Sequence, residues 1–281
     1  MAIVMKGLDV TLAMKEKMAA ETENLKKRGI YPTLAIVRAG DKPEDLSYEK
    51  GAIKRCESVG VICNVFAFPE DISEENFADE IKKINRDQSI HGVLVFRPLP
   101  KHINEERIKS LMLPSKDVDC MSPVNIAKVF AGDESGFAPC TPEAVIEMIN
   151  YYEILIEGKN VVVIGRSMVV GKPLAMLLLK KNGTITICHT RTRNIQEVCK
   201  RADVLIAAAG KPKMVNKDFV MPGAVVFDVG INVDSNGNIC GDVDFDNVLD
   251  IAGKITPVPG GVGTVTNSVL VKHVIKAAQN T

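Results

Sequence analysis

Apolar residues in this chain fall into short dense runs, separated by stretches in which they recur every three or four positions. Leu34-Ala-Ile-Val37, Ile62-Cys-Asn-Val-Phe66 and Gly92-Val-Leu-Val-Phe96 have the length and the β-branched or aromatic content of strands. Residues 47–58 and 74–86, between them, carry helical spacing, so the first half of the chain reads as βαβ. Pro139-Cys-Thr-Pro142 then introduces a helix running to about residue 152. Thr141 is its expected N-cap and Pro142 its first helical residue, where a missing N–H is harmless. A second series starts at Asn160. Runs at 161–164, 184–188, 204–209 and 224–229 predict strands that alternate with helices from about 169 and 194, the order of a parallel doubly wound sheet. A last helix is predicted over 266–278, and no repeat of solenoid period is present. The expectation is therefore an α/β protein of two α/β domains, the second Rossmann-like, with a cleft between them.

The run from Asn160 also carries chemistry. In Asn160-Val-Val-Val-Ile-Gly165-Arg166-Ser167-Met-Val-Val-Gly171-Lys172-Pro173, a strand feeds a glycine turn and then a helix, which is how a sheet protein holds a dinucleotide pyrophosphate. Ser167 occupies the second glycine slot of the generic fingerprint. The spacing to Gly171-Lys172 and the proline that follows exclude a Walker loop. The plainer alternative is a turn that needs glycine only for its backbone. Some 20 residues on, where an NAD site places a carboxylate against the ribose, the chain has His189-Thr190-Arg191-Thr192-Arg193 and no Asp or Glu. A guanidinium with neighbouring hydroxyls suits a 2′-phosphate, so NADP is expected over NAD, the alternative being a solvated loop after a strand.

Composition narrows the class. A length of 281 residues accommodates two domains with separate cores. A formal net charge of zero, with 25% charged residues, argues against nucleic acid as a partner. The seven cysteines are scattered and form no C-x-x-C pair, as expected of reduced thiols in a cytoplasmic protein, and Cys and His never gather at metal-ligand spacing. Neither a signal-peptide core nor an 18-residue apolar stretch occurs, so no membrane association is expected.

Several short segments then recur in a familiar order. Tyr48 on the first of the helices between strands, Pro98-Leu-Pro100 after a strand, Lys116-Asp-Val-Asp119, Pro139-Cys-Thr-Pro142 and Gly165-Arg-Ser-x-x-Val-Gly-Lys-Pro173 are followed by Asp228-Val-Gly-Ile-Asn232, Gly241-Asp-Val243 and Pro257-Val-Pro-Gly-Gly-Val-Gly263. The ordered set, spread over most of the chain, resembles the methylenetetrahydrofolate dehydrogenase/methenyltetrahydrofolate cyclohydrolase family of bacterial FolD type. The resemblance implies NADP-dependent oxidation of 5,10-methylenetetrahydrofolate to the 5,10-methenyl cation, within one-carbon metabolism and purine biosynthesis, by a cytoplasmic homodimer joined through its cofactor domain. It implies a folate-binding catalytic domain of residues 1–143 plus 264–281 and an NADP-binding domain of residues 144–263. Tyr48 and Asp119 are the implied catalytic residues. Tyr48 stacks on the aromatic middle of the folate, and Asp119 accepts two hydrogen bonds from the pterin edge. Pro98, Pro259, Gly260 and Gly261 would line the substrate, and Gly165, Arg166, Ser167, Gly171, Thr190, Arg191 and Ile231 the cofactor. Read without the family, the plainer alternatives are an amphipathic helix residue for Tyr48 and a turn former for Asp119.

Two departures concern the family's second activity. Its bifunctional members carry a lysine four residues after the tyrosine, tied to water attack on the methenyl carbon, and this slot is Ala52. On a helix Ala52 lies roughly 40° from Tyr48, whereas Lys50 and Lys54 lie roughly 160° and 120° away. The family glutamine that bonds that lysine falls on Phe96, whose ring cannot replace an amide. The expectation is a dehydrogenase with weak or absent cyclohydrolase activity. The bifunctional enzyme, and a non-catalytic NADP- or folate-binding protein, stand as alternatives. A dehydrogenase of small hydroxy or amino acids would want a catalytic His or Lys, and none of the four histidines fits that role.

Overall fold

The computed structural model describes residues 2–234 and 237–281. Contacts divide the chain into two compact units, one of residues 13–140 with 267–281, the other of residues 1–12 with 141–266. In chain order the elements begin with β1 (Ile3–Val4), α1 (Gly7–Lys27), β2 (Thr33–Ala39), α2 (Pro43–Glu57), β3 (Ile62–Phe68), α3 (Glu74–Arg86) and β4 (Gly92–Val95). They continue with α4 (Glu105–Leu111), α5 (Pro123–Ala131), α6 (Cys140–Tyr151), β5 (Asn160–Ile164), α7 (Gly171–Lys180), β6 (Thr184–Cys188), α8 (Ile195–Cys199) and β7 (Val204–Ala207). The last are β8 (Val225–Asp228), β9 (Asn232–Val233), β10 (Ile239–Cys240), α9 (Phe245–Val248), β11 (Lys254–Ile255) and α10 (Val262–Gln279).

The first unit holds a parallel sheet in the order β3-β2-β4, with Leu34 opposite both Cys63 and Gly92. Its middle strand is buried almost throughout, which explains why Leu34-Ala-Ile-Val37 shows no alternation. Helix α3 illustrates how the surrounding layer is specified. The Ser73 hydroxyl accepts the Asn76 N–H at its start, Glu74 and Glu75 favour its positive end, and Phe77, Ile81 and Ile84 recur at helical spacing and are buried. Phe77 is fully buried in the cluster with Val37, Val93 and Ile108, so its truncation to Ala is worth about 3–5 kcal/mol.

The second unit holds six parallel strands in the order β1-β11-β8-β7-β5-β6. β6 lies on one side of β5 and β7 on the other, so the order reverses at β5, and the carboxyl end of β5 is the switch point where such sheets bind ligands. The first strand of the chain completes the far edge, because Ile3 and Val4 pair with Lys254 and Ile255. For that reason residues 1–12 group with this unit rather than with the one expected from the sequence, while residues 267–281 of α10 do return to residues 13–140.

Other boundaries differ locally. Helix α6 starts at Cys140, so Thr141 and Pro142 lie inside its first turn. The reason is long-range, since the Cys140 N–H donates to Asp119 Oδ1 at 3.0 Å, a cap supplied from 21 residues upstream. Strands β7 and β8 end at Ala207 and Asp228, so that residues 208–209 and 229 leave the sheet as loop. Helix α7 begins at Gly171 rather than near 169, and α10 begins at Val262. Among the described residues no helix is long and apolar enough to cross a membrane.

Candidate active site

At the carboxyl end of β5, Gly165 has φ +134°, and a Cβ there would collide with the carbonyl oxygen of Ala208. A Cβ on Gly171 would collide in turn with the Gly165 carbonyl oxygen, so both glycines are required by close backbone approach. Ser167 keeps the turn closed, its hydroxyl accepting the N–H of Val170 at 3.0 Å and of Gly171 at 3.4 Å. Arg166 and Ser167 remain exposed beside the start of the ten-residue α7. The glycine turn thus combines tight packing against the sheet with an open face at a helix N-terminus, the arrangement that accepts a pyrophosphate.

One strand over, at the end of β6, the Arg191 N–H donates to His189 Nδ1 at 3.0 Å and the His189 N–H to the Thr192 hydroxyl at 2.9 Å. The turn so formed leaves Thr190 and Arg191 exposed, with no carboxylate between Cys188 and Gln196. A ribose bearing a 2′-phosphate fits this donor set, and a bare diol, which wants an acceptor, fits it poorly. Ile231, the other expected cofactor residue, is 70% exposed just after β8. These seven residues come together along the carboxyl edge of one sheet. A hollow of about 280 Å³ beside Lys159, Asp203 and Lys254 lies instead at the amino ends of β5, β7 and β11.

In the other unit, Tyr48, Ala52 and Cys56 follow one another at four-residue spacing along α2. Tyr48 meets Phe96 edge-on, with ring centroids 5.7 Å apart, and burial, then Cys140 and Asp119, push its phenol well above the ordinary tyrosine range. It therefore stays a neutral ring. Ala52 is fully buried and Phe96 nearly so, whereas Lys50 and Lys54 are exposed on a continuous helix.

Lys116-Asp-Val-Asp119 places its two carboxylates differently. Asp117 is buried and accepts from the backbone N–H of Met121 and of Ser122 and from Asn125 Nδ2 at 2.7–2.9 Å. Asp119 accepts the Cys140 N–H on Oδ1, the Cys140 thiol also hydrogen-bonds this carboxylate, and Arg97 Nη2 stands 3.7 Å from Oδ2. Burial raises the pKa of Asp119, and the Cys140 donors and Arg97 oppose that rise. Arg97 lies outside the motifs of the sequence and Cys140 stands in one only as part of Pro139-Cys-Thr-Pro142, because both act on Asp119 through tertiary proximity. Tyr48, Phe96, Asp119 and Cys140 are thus gathered in one unit. Pro98 is exposed after a cis Arg97–Pro98 bond.

Pro259, Gly260 and Gly261 belong to the sheet unit, in the segment before α10. Gly260 is exposed with φ +101°, a left-handed backbone that favours glycine. Gly261 is buried, and a Cβ on it would strike the Pro257 carbonyl oxygen, so its glycine answers a packing need.

Comparison with known proteins agrees with this geometry. Residues 5–119 match the family described as tetrahydrofolate dehydrogenase/cyclohydrolase, catalytic domain, and residues 139–281 match the corresponding NAD(P)-binding domain. A protein of Alkaliphilus oremlandii named bifunctional protein FolD is 54% identical over 99% of this chain and 98% of its own length. The crystal structure of the bifunctional FolD methylenetetrahydrofolate dehydrogenase/cyclohydrolase from Campylobacter jejuni is 39% identical, covering 100% of this chain and 99% of its own at a TM-score of 0.97. The Trypanosoma brucei dehydrogenase-cyclohydrolase, solved with NADP cofactor and an inhibitor, is 32% identical over 99% and 98% of the two chains, with a TM-score of 0.93. With both halves matched and full-length relatives at such identity, this chain belongs to the tetrahydrofolate dehydrogenase/cyclohydrolase family.

Proposed function

We propose that this chain oxidises 5,10-methylenetetrahydrofolate to 5,10-methenyltetrahydrofolate with NADP, and that its cyclohydrolase activity is weak or lost. NADP when bound supplies the hydride acceptor, and the folate nitrogens stabilise the cation left behind, so the protein's task is placement. Residues 13–140 with 267–281 serve the folate and residues 141–266, completed by the edge strand of residues 1–12, the nucleotide. Tyr48 offers a neutral ring for stacking, backed by Phe96. Asp119, with one oxygen outside any backbone hydrogen bond, accepts the paired N–H groups of the pterin edge. Pro98, Pro259 and Gly260 present surface to the substrate. Gly165, Arg166, Ser167 and Gly171 cradle the pyrophosphate, Thr190 and Arg191 take the 2′-phosphate, and Ile231 packs against the cofactor. The observation that carries the NADP reading is the exposed Thr190-Arg191 turn at the end of β6, free of carboxylates.

The relatives' names carry both activities and favour the alternative, in which this chain also hydrolyses the methenyl product to 10-formyltetrahydrofolate. What supports the narrower reading is local. The slot four residues beyond Tyr48 is a fully buried alanine, its expected amide partner is a buried aromatic ring, and the flanking lysines are exposed. One preparation decides between them. NADP and NAD are compared in parallel as oxidants, and then the decay of the methenyl compound is followed. The proposal expects dehydrogenase turnover with hydrolysis close to the uncatalysed rate, and comparable rates for the two steps would overturn it. Arg191→Ala should raise the KM for NADP by about fivefold while leaving that for NAD unchanged, and equal effects would remove the phosphate assignment.

A homodimer in the cytoplasm is part of the same proposal. Val233 and Ile239, paired across the β9–β10 ribbon of the nucleotide unit, form an exposed apolar rung suited to a second copy, and all seven cysteines are free thiols. Sedimentation of wild type against Val233→Glu tests the rung.

A further inference from the structure

Apart from Ile231, Asp228-Val-Gly-Ile-Asn232 and Gly241-Asp-Val243 have no part in the chemistry above, yet the two motifs interlock. Asp242 is fully buried. Its Oδ2 accepts the N–H of Ala209 at 2.6 Å and of Gly210 at 3.0 Å, and its Oδ1 accepts the N–H of Lys211 at 2.8 Å and Asn232 Nδ2 at 2.9 Å. Three consecutive backbone donors therefore curl round one carboxylate, an anion nest filled by the protein itself. Asp228 locks Asp242 in place. Its Oδ1 accepts the N–H of Gly230 and of Asp242, both at 3.0 Å, and its Oδ2 accepts that of Val243 at 2.9 Å. The two glycines are where the carboxylates pass. A Cβ on Gly230 would strike the Asp242 carboxylate, and one on Gly241 would strike that of Asp228.

The loops so tied are those leaving the carboxyl ends of β7 and β8, and β7 is the neighbour of β5. The tie reaches the glycine turn itself, because the Ala208 carbonyl oxygen fills the space a Cβ on Gly165 would need. Residues 209 and 210 are exposed on this edge, as is Ile231. We infer that Asp242 is a positioning residue for the nicotinamide cofactor, setting the 208–211 backbone against the Gly165 turn and the 229–232 loop beside it, with Asp228 as its anchor. This rests on the reading of the sheet unit as the NADP site.

Asp242→Asn is nearly isosteric, but its amide N–H groups would face backbone N–H donors, so the nest cannot close as before. The test is direct titration with NADPH, read by the fluorescence of the bound nicotinamide, together with steady-state kinetics. Asp242→Asn is expected to weaken NADPH binding by about tenfold or more, leaving the KM for methylenetetrahydrofolate at saturating NADP within about twofold. A merely structural role would lower the unfolding midpoint and leave the dissociation constant of the folded fraction unchanged, and that result overturns the inference. Asn232→Ala removes one side-chain donor and no backbone bond, so it serves if the first variant does not fold. A threefold weakening is expected there on the order of one lost hydrogen bond, and unchanged binding overturns the inference. Wild-type protein that fails to bind NADPH would instead sink the cofactor reading beneath it.

Discussion

Asp117 and Asp119 stand two residues apart in one unit, while Asp228 and Asp242 are joined by a hydrogen bond in the other. Of these four carboxylates, three have both oxygens engaged by nearby N–H groups, and among the described residues Asp119 alone has an oxygen that accepts no N–H within hydrogen-bond distance, Arg97 Nη2 standing 3.7 Å from it. An ionised carboxylate offers about four acceptor sites, so the number already used separates residues that fix shape from one left to meet a ligand. Burial does not make this distinction, since Asp119 is itself largely enclosed: its side chain is 26% exposed.

The contrast can be broken at either end. Asp117→Ala leaves three donors in or near the core without their acceptor and should cost about 3–5 kcal/mol of stability, measured by urea unfolding. A loss below about 1 kcal/mol would mean that saturation is no guide to structural weight. Asp228 provides a pH signature. Burial raises its pKa to about 6, against the opposing pull of the N–H groups of Val243, Asp242 and Gly230. The folded state therefore holds this proton more tightly than the unfolded chain. Its contribution to stability is fully present below the unfolded value of 3.8 and is lost as pH rises through about 6. Between pH 4 and 8 the wild type should lose on the order of 3 kcal/mol relative to Asp228→Asn, and parallel curves would refute the shift.

Asp119 should respond oppositely. Asp119→Asn keeps an acceptor for the Cys140 N–H but turns an amide toward the pterin, so kcat/KM for methylenetetrahydrofolate should fall about 100-fold with little change in the unfolding midpoint. The smallest effect is expected from Arg97→Leu, which removes the cation opposing Asp119 protonation. The acid limb of the kcat/KM profile should move to higher pH, with a loss of about two- to threefold near neutrality. An unmoved limb would show that Arg97 has no hold on that carboxylate.

Strands with dense apolar runs were legible in the sequence, and residues 184–188 and 74–86 match their elements end to end. Helix α1 was not read, because its buried face includes Thr11 and Thr22 while Leu8 and Leu12 are exposed, so hydrophobic spacing barely marks it. Helix α5 carries every local sign, with Ser122 accepting the Asn125 N–H, Pro123 in the first turn and Gly132 left-handed at its end, but it is only nine residues long. Within the site, the glycine turn was visible as a motif. The caps and braces were not, since Cys140 meets Asp119 across 21 residues and Asp242 reaches the 209–211 backbone across 31 to 33. No local pattern encodes such partners.

The pairing of Ile3 and Val4 with Lys254 and Ile255 reaches further still, and it orders events on the ribosome. Ile3 and Val4 must wait for Lys254 and Ile255, the whole of both units' other strands intervening, before their neighbour in the sheet emerges. Until then the nascent chain carries an unclaimed β-edge segment, and this border of the sheet closes only after every other strand has been made.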